Sequence, residues 1–224
     1  MIKLTETLPE IASPNAEYFK IKSLFDMYAD DALFWRQNGG SCISMADGNM
    51  NIFAENADTE ELREFVDVLS PESIFSDYAV LCAIDRRPDE RVSVLMRDRT
   101  DIPEIPSDSL SSREIYDLLS VDGLTLPEYP FFAVDFCRRL NHGGAKYFAV
   151  REKCAAVSFN TGGYALINGI ASREKGFGRR ALEGIISENR GKRILACCRG
   201  ELEEFYLKNG FKKLYYAGYW VKNK

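Results

Sequence analysis

The stretch Ser172-Arg-Glu-Lys-Gly-Phe-Gly-Arg-Arg-Ala-Leu182 separates an apolar segment from an amphipathic one. The residues before it, Tyr164–Ala171, have the pattern of a strand, and apolar residues recur at helical spacing from Gly176 to about Asn189. A strand therefore ends, a Gly-x-Gly turn follows, and a helix begins at once. The first backbone N–H groups of a helix have no intrahelical partner and lie at the positive end of its dipole, so they can hold phosphate oxygens.

The composition of this turn also favours an anionic ligand. Glycines let a ligand approach the backbone closely, and the turn carries four cationic side chains, Arg173, Lys175, Arg179 and Arg180. An equally simple interpretation is a strand–helix turn in which the glycines only permit the tight turn and the basic side chains only contact solvent.

A dinucleotide-binding fingerprint is a third interpretation, because Gly176, Gly178 and Ala181 satisfy G-x-G-x-x-A. That fingerprint follows the first strand of a run of β-α-β units, whereas this loop follows predicted antiparallel hairpins. No Walker lysine followed by Ser or Thr is present. A nucleotide-binding oxidoreductase is therefore the weakest alternative.

The segments on either side of the loop extend the pattern. Upstream, Lys146–Arg151 and Cys154–Phe159 are predicted strands joined by a tight turn. Downstream, a strand over Arg193–Cys198, a helix over about Glu201–Lys208 and a last strand over Lys213–Val221 are predicted. The second half is thus a hairpin followed by a strand, helix, strand, helix and strand.

These residues resemble the GNAT superfamily of acetyl-CoA-dependent N-acetyltransferases. The segment Arg173-Glu-Lys-Gly-Phe-Gly178 is similar to the family's acetyl-CoA loop, R/Q-x-x-G-x-G/A, without a gap. The segment Tyr206-Leu-Lys-Asn-Gly-Phe211 is similar to its Y-x-x-x-G-F closing helix and turn. The resemblance covers about Ser112–Lys224, half of the chain.

The resemblance implies a set of site residues. The backbone around Gly169, Ile170 and Ala171 would pair with the pantetheine arm of the co-substrate. Arg173 would lend charge to the pyrophosphate, and Tyr206 would be the general acid that protonates the leaving thiolate. The amides that would hold the pyrophosphate are those of Lys175, Gly176, Phe177, Gly178 and Arg179. A packed helix aromatic is the alternative for Tyr206.

The sequence also departs from the family pattern. Ser172 directly adjoins Arg173, where the family usually has a few more residues, and Arg199 stands where an asparagine is often found. The central strand offers Asn168 and Ser172 but no carboxylate as a general base. A held water, a residue of the first half or the loop residue His142 would have to take the amine proton. A non-catalytic acyl-CoA-binding or regulatory module is therefore the main alternative to an enzyme.

Charge is divided unevenly along the 224-residue chain, whose net charge is −5. Residues 1–112 hold 10 basic and 22 acidic side chains, whereas residues 173–224 carry a net charge of +7. The basic end favours an anionic partner, for which the resemblance supplies the phosphates of coenzyme A. The acidic charge of the first half has two interpretations: it keeps the protein soluble, or it attracts a cationic amine substrate.

Composition excludes several classes of protein. With one histidine, His142, multi-histidine metal sites are excluded, and the six cysteines show no metal-binding spacing, so no metal is expected. The chain has no signal-like N-terminus and no apolar run near the ~18–20 residues of a membrane span, which predicts a cytoplasmic protein without a membrane partner. Overall acidity disfavours nucleic acid as a partner. The aromatic end, Tyr215–Trp220, is expected in the core, a pocket wall or a homodimer interface.

The first half is expected to be a smaller α/β domain. Its predicted elements are helices over Asn15–Ala29 and from Asp58 to Leu69, a hairpin returning to Phe53, and a buried strand over Ser76–Ile84. The order of hairpin, helix and strand occurs in both halves, so one interpretation is a degenerate GNAT-like repeat. Its connector, Glu55-Asn-Ala-Asp58, lacks the Gly-x-Gly loop.

Pro and Ser residues in Asp101–Ser112 predict the boundary between the two domains. We expect an N-terminal domain over residues 1–108 and a GNAT-like catalytic domain over residues 112–224. The predicted fold class is α/β, with a mixed, mostly antiparallel sheet flanked by helices. The predicted activity is transfer of an acetyl group from acetyl-CoA to an amine of a small molecule or peptide.

Overall fold

The computed structural model describes residues 1–11, 14–98, 102–121 and 123–222. Its residues form two compact units. The first unit comprises Met1–Leu95 together with Cys197–Lys224, and the second comprises Met96–Ala196. The predicted domain boundary stays a prediction, and Asp101 lies outside the described residues.

The elements of the first half of the chain alternate between strands and helices. They are β1 (Lys3–Leu4), α1 (Ala16–Tyr28), β2 (Leu33–Arg36), β3 (Cys42–Ala46), β4 (Asn49–Phe53), α2 (Thr59–Leu69), β5 (Ser73–Asp77), α3 (Tyr78–Ala83) and β6 (Glu90–Arg97). The second half continues with α4 (Ser112–Leu119), α5 (Tyr129–Asn141), β7 (Ala145–Val150), β8 (Cys154–Thr161), β9 (Tyr164–Ser172), α6 (Phe177–Glu188), β10 (Arg193–Cys198), α7 (Gly200–Lys208) and β11 (Lys212–Val221).

The two halves of the chain repeat one order of elements. Apart from the short strand β1 and the second of the two helices α4 and α5, each half has a helix, a three-stranded meander, and then a helix, a strand, a helix and a strand. The pairing repeats as well, because β2–β3–β4 and β7–β8–β9 are antiparallel meanders whose last strands pair in parallel with β5 and β10. The predicted mixed, mostly antiparallel sheet flanked by helices is confirmed.

The first unit takes the last strand of the chain into its sheet. Its strand order is β1-β2-β3-β4-β5-β11-β6, and β11 pairs antiparallel with β5 from Ala217↔Asp77 to Val221↔Ser73. Apolar side chains fill both faces of this sheet. Ile52 and Leu62 belong to the cluster under α2, and Phe75 and Val94 belong to the cluster that includes Ala16 of α1.

The second unit contains the strand order β10-β9-β8-β7. Its main core includes Leu119 of α4, Phe136 of α5, and Ala155 and Val157 of β8. On helix α6, Gly184 lies so close to the fully buried Phe148 of β7 that an added Cβ would come within 2.2–2.4 Å of the ring. A helix glycine is therefore required where α6 packs on β7.

One predicted element was wrong. The segment Ser76–Ile84 was expected to be a buried strand, but β5 ends at Asp77 and α3 begins at Tyr78. The Asp77 carboxylate accepts a hydrogen bond from the N–H of Ala79 and so caps α3. The prediction of a strand from the apolar run did not take this cap into account. The strand β6 was not predicted.

Candidate functional site

The strand β9 changes its pairing at Asn168. In β8, Val157 pairs with Gly169 whereas the next residue, Ser158, pairs with Ile167, so Asn168 is an extra residue in a β-bulge. The parallel pairing of β9 with β10 ends at the same place, with Ile167↔Ala196. Because a bulge bends a strand and increases its twist, it explains why the two strands part here. Among the described residues, the segment from Asn168 to Ser172 has no partner in β10.

The predicted residues Gly169, Ile170 and Ala171 lie on this unpaired part of β9. Each is held on the other side by β8, through pairs with Val157, Ala156 and Ala155. A Cβ at Gly169 would be in ordinary contact, 3.5–3.8 Å, with methyl groups of Leu119 and Leu124. This part of β9 therefore has one backbone edge that pairs with β8 and one that does not pair with β10.

The helix α6 begins with a glycine cap. Gly176 is the N-cap with φ +91°, a conformation that favours glycine, and no side chain caps the helix. The N–H of Phe177 donates to the carbonyl of Glu174, which closes the turn. The next amides are those of Gly178 and Arg179, and no side-chain cap occupies this helix start. This arrangement can hold an anion.

The corresponding helix of the first half has the opposite chemistry. Asp58 caps α2 by accepting the N–H groups of Glu60 and Glu61, each at 3.1 Å. These two glutamates also place negative charge in the first turn. Since carboxylates already occupy the positive end of the dipole, α2 cannot offer its N-terminus to phosphates. The repeat thus retains an open helix start only in its second half.

The cationic side chains around the loop have unequal roles. Arg173 is exposed, and its Nη2 donates to the carbonyl of Asp117 at 2.7 Å, so its side chain is directed to α4. Arg179 forms an ion pair with Glu183 at 2.8 Å, one turn further along α6. Lys175 and Arg180 are exposed. Positive charge at the loop is therefore solvent-accessible.

Tyr206 lies on α7 in the first unit, and the loop lies in the second unit. The Tyr206 ring is 4 % exposed and packs edge-on against Phe205 and Phe211. Burial, aided by the Cys198 and Cys197 thiols, raises the pKa of the phenol. The raised pKa makes this phenol a weaker acid than a solvated tyrosine. Its catalytic role stays a prediction.

Other residues singled out from the sequence are placed as follows. His142 is exposed at the C-terminal end of α5, and Asn168 and Ser172 are exposed on β9. Burial raises the pKa of the Cys197 thiol to about 12 and that of Cys198 to about 11. A nucleophilic role for either cysteine is therefore disfavoured, because the thiolate is the reactive form.

The sequence reading missed one group of residues. Glu17, Lys20 and Cys197 form a cluster with Tyr215 and Tyr219 in the first unit, and we call it the buried polar cluster. The available signal was the position of Glu17 four residues before the apolar Ile21. Residues four apart share a helix face, so the sequence places a carboxyl on the apolar face of α1. No local motif connects α1 with β11.

Comparison with solved structures identifies the fold. A tandem GNAT protein from the clavulanic acid biosynthesis pathway, solved without AcCoA, matches with a TM-score of 0.54 and 14 % identity, over 97 % of this chain and 90 % of that chain. A GCN5-related N-acetyltransferase from Sphaerobacter thermophilus gives a TM-score of 0.57 at 11 % identity, over 90 % and 84 % of the two chains. The chain therefore has the GNAT fold, and its repeated order of elements agrees with a tandem arrangement. No protein-family model and no curated protein sequence matches the chain.

Two further features are absent from the part of the chain that the structure describes. No group of three or more His, Cys, Asp or Glu side chains there could hold a metal ion. No helix there is long and apolar enough to span a membrane.

Proposed function

We propose that the protein is an acyl-CoA-dependent N-acyltransferase that uses acetyl-CoA as the donor. The observation that carries this proposal is the uncapped glycine start of α6 directly after the unpaired part of β9. A backbone edge can pair with the amide groups of a pantetheine arm, and the open N–H groups of a helix start can donate hydrogen bonds to the oxygens of a pyrophosphate. The GNAT fold of the chain supports the same co-substrate.

The proposed reaction is direct acyl transfer. A neutral amine attacks the thioester carbonyl, so that a C–N bond forms and the C–S bond breaks. Backbone amides at the β9 edge stabilise the developing oxyanion, and the Tyr206 phenol gives its proton to the departing sulfur. The amine loses one proton, and the products are an amide and the free thiol of coenzyme A.

The proposed acceptor is an amine of a small molecule or a peptide, in a cytoplasmic setting. The net charge of −12 in residues 1–112 supports attraction of a cationic amine by long-range electrostatics. Neither nucleic acid nor a membrane is proposed as a partner.

The first test is calorimetric titration of the protein with acetyl-CoA and, separately, with NAD. We expect one acetyl-CoA per chain and no NAD binding. Two variants at one position make the test specific to the helix start. Gly178→Asp places a carboxylate in the first turn of α6, which favours the helix but repels phosphates, and we expect at least tenfold weaker acetyl-CoA binding.

The matched control is Gly178→Ala. Its Cβ would meet only the Ser172 Oγ, at 3.5 Å, which is ordinary contact. We expect it to bind acetyl-CoA within about threefold of the wild type, since the family motif also accepts alanine here. Equal binding by the Asp and Ala variants would overturn the assignment of the α6 start to the pyrophosphate.

A non-catalytic acyl-CoA-binding module is the second candidate. It is favoured by the direct junction of Ser172 and Arg173 and by the absence of a carboxylate from β9. Release of free thiol from acetyl-CoA, measured across a panel of amines, separates the two candidates. Tight binding without any thiol release would establish the module.

A further inference from the structure

The turn that joins β7 to β8 lies against the loop that precedes α6. The carbonyl of Lys153, the last residue of the turn, accepts the N–H of Arg173 at 2.8 Å. The next residue, Cys154, begins β8 and pairs with Ser172 at the end of β9. All of these residues belong to the second unit. The backbone of Lys153 is therefore fixed beside the first residue of the loop.

The side chain of Lys153 lies at the start of α6. Its Nζ is 3.6 Å from Oε2 of Glu174, which belongs to the loop, and 4.8 Å from the centroid of the Phe177 ring. Phe177 is the first residue of α6, whose start has no side-chain cap. The Lys153 side chain is 42 % exposed. Its ammonium group is therefore beside the uncapped helix start and accessible from solvent.

Two cations of the loop sequence itself are directed elsewhere. The guanidinium of Arg173 donates to the carbonyl of Asp117 on α4, and that of Arg179 pairs with Glu183 one turn further along α6. The turn between β7 and β8 is about 20 residues before the loop in sequence, so no local motif contains Lys153. The fold nevertheless places this cation at the same helix start.

The pairing of Lys153 with Glu174 also has an electrostatic consequence. Glu174 is a carboxylate inside the loop, and a carboxylate at this position opposes the binding of phosphates. The Lys153 ammonium offsets that charge in the free protein. Both partners are about half exposed, and ion pairs of this kind contribute little to stability. The ammonium can therefore leave Glu174 for a phosphate oxygen, which is a stronger charged acceptor.

We propose that Lys153 is a binding residue for the pyrophosphate of the acyl-CoA, supplied to the α6 start by the turn between β7 and β8. This proposal rests on the proposed function. In the free protein, Glu174 and the Phe177 ring hold the ammonium beside the helix start. In the complex, the ammonium donates to a pyrophosphate oxygen and adds a full positive charge to the partial charge of the helix amides.

The test is calorimetric titration of the wild type and of three variants with acetyl-CoA and, separately, with 3′-dephospho-acetyl-CoA, which keeps the pyrophosphate. Lys153→Gln removes the charge, and Lys153→Arg keeps it. Lys192→Gln is the matched control, because it removes the same charge beyond the other end of α6, which ends at Glu188. Circular dichroism verifies that each variant is folded.

We expect Lys153→Gln to bind both compounds about tenfold more weakly, through the loss of a charge-assisted hydrogen bond. Lys153→Arg should bind within about threefold of the wild type, since a guanidinium also binds phosphate, and Lys192→Gln should bind like the wild type. Equal binding by Lys153→Gln and Lys192→Gln would overturn the role of Lys153. A loss seen with acetyl-CoA but not with the dephospho compound would overturn the assignment to the pyrophosphate.

A double variant separates direct contact from simple neutralisation of Glu174. Glu174→Gln alone should bind acetyl-CoA more tightly than the wild type. Adding Lys153→Gln should weaken that binding about tenfold, because the ammonium still has a phosphate to contact when the carboxylate is gone. Equal binding by Glu174→Gln and the double variant would overturn the proposed contact and leave the proposed function intact. Failure of the wild type to bind either compound would overturn the proposed function itself.

Discussion

The buried carboxyl of Glu17 predicts an unusual dependence of stability on pH. Its pKa is raised from 4.5 to about 7 in the folded protein, chiefly by burial. A raised pKa means that the folded state binds the proton more tightly than the unfolded state does. The stabilisation is therefore complete below about pH 4.5 and is lost as the pH rises to 7.

The size of the effect follows from the shift. Each pKa unit corresponds to about 1.4 kcal/mol, so the loss between pH 4.5 and 8 amounts to about 3 kcal/mol, a large part of the stability of a typical domain. Glu17→Gln cannot ionise and does not suffer this loss. The free energy of unfolding of the variant, minus that of the wild type, should thus rise by about 3 kcal/mol across this range.

The measurement is urea unfolding at several pH values, followed by tryptophan fluorescence. Both tryptophans, Trp35 and Trp220, belong to the first unit, so the signal reports on the unit that contains Glu17. Comparing Glu17→Gln with the wild type at each pH cancels the contributions of the half-buried carboxyls Glu61 and Glu203, whose pKa values are lowered and whose pH dependence has the opposite sign.

A second substitution tests the cause of the shift. The hydroxyl of Tyr215 stabilises the ionised form of Glu17, so Tyr215→Phe should extend the loss of stability to a higher pH and make the total loss larger. A free-energy difference between Glu17→Gln and wild type that stays constant from pH 4.5 to 8 would refute the reasoning, because it would mean that the carboxyl is as well solvated in the folded protein as in the unfolded chain.

Three further substitutions, the first with a matched control, have expected outcomes. Gly184→Ala should destabilise the protein by about 2 kcal/mol in urea unfolding, since its Cβ would overlap the Phe148 ring, whereas Gly200→Ala meets no atom within 4 Å and should be neutral or slightly stabilising. Tyr206→Phe should lower kcat about 100-fold while changing acetyl-CoA affinity less than threefold; an unaltered kcat would remove it as the acid. Asp58→Ala should cost about 1 kcal/mol through the lost cap of α2 and leave acetyl-CoA affinity as it is, and weaker binding would argue against a phosphate site confined to α6.

Much of the second half was predictable because its signals are local. The glycine pair and the apolar spacing after it predict α6 to within a residue, and Gly176 and Asn189 prove to be its caps. The strand over Arg193–Cys198 is confirmed at both ends. A tight turn or a helix start is determined by a few adjacent residues, and such signals can be read from one sequence.

Other features depend on pairings between distant residues and could not be read in this way. The strand β11 pairs with β5 across more than half of the chain, and no local pattern records that choice of partner. The segment Tyr78–Ala83 is a short apolar run whose period fits a buried strand as well as a helix. The partnership of Glu17 with Tyr215 exists only once β11 has packed beside β5.

The two helix starts differ in charge in the same sense as the two halves of the chain do. A repeated fold would be expected to offer two phosphate sites, one before α2 and one before α6. At α2, Asp58 takes the amides that a phosphate would need, and Glu60 and Glu61 add repulsion. At α6, a glycine cap leaves the corresponding amides available. The acidic start of α2 therefore restricts the proposed co-substrate to one site per chain.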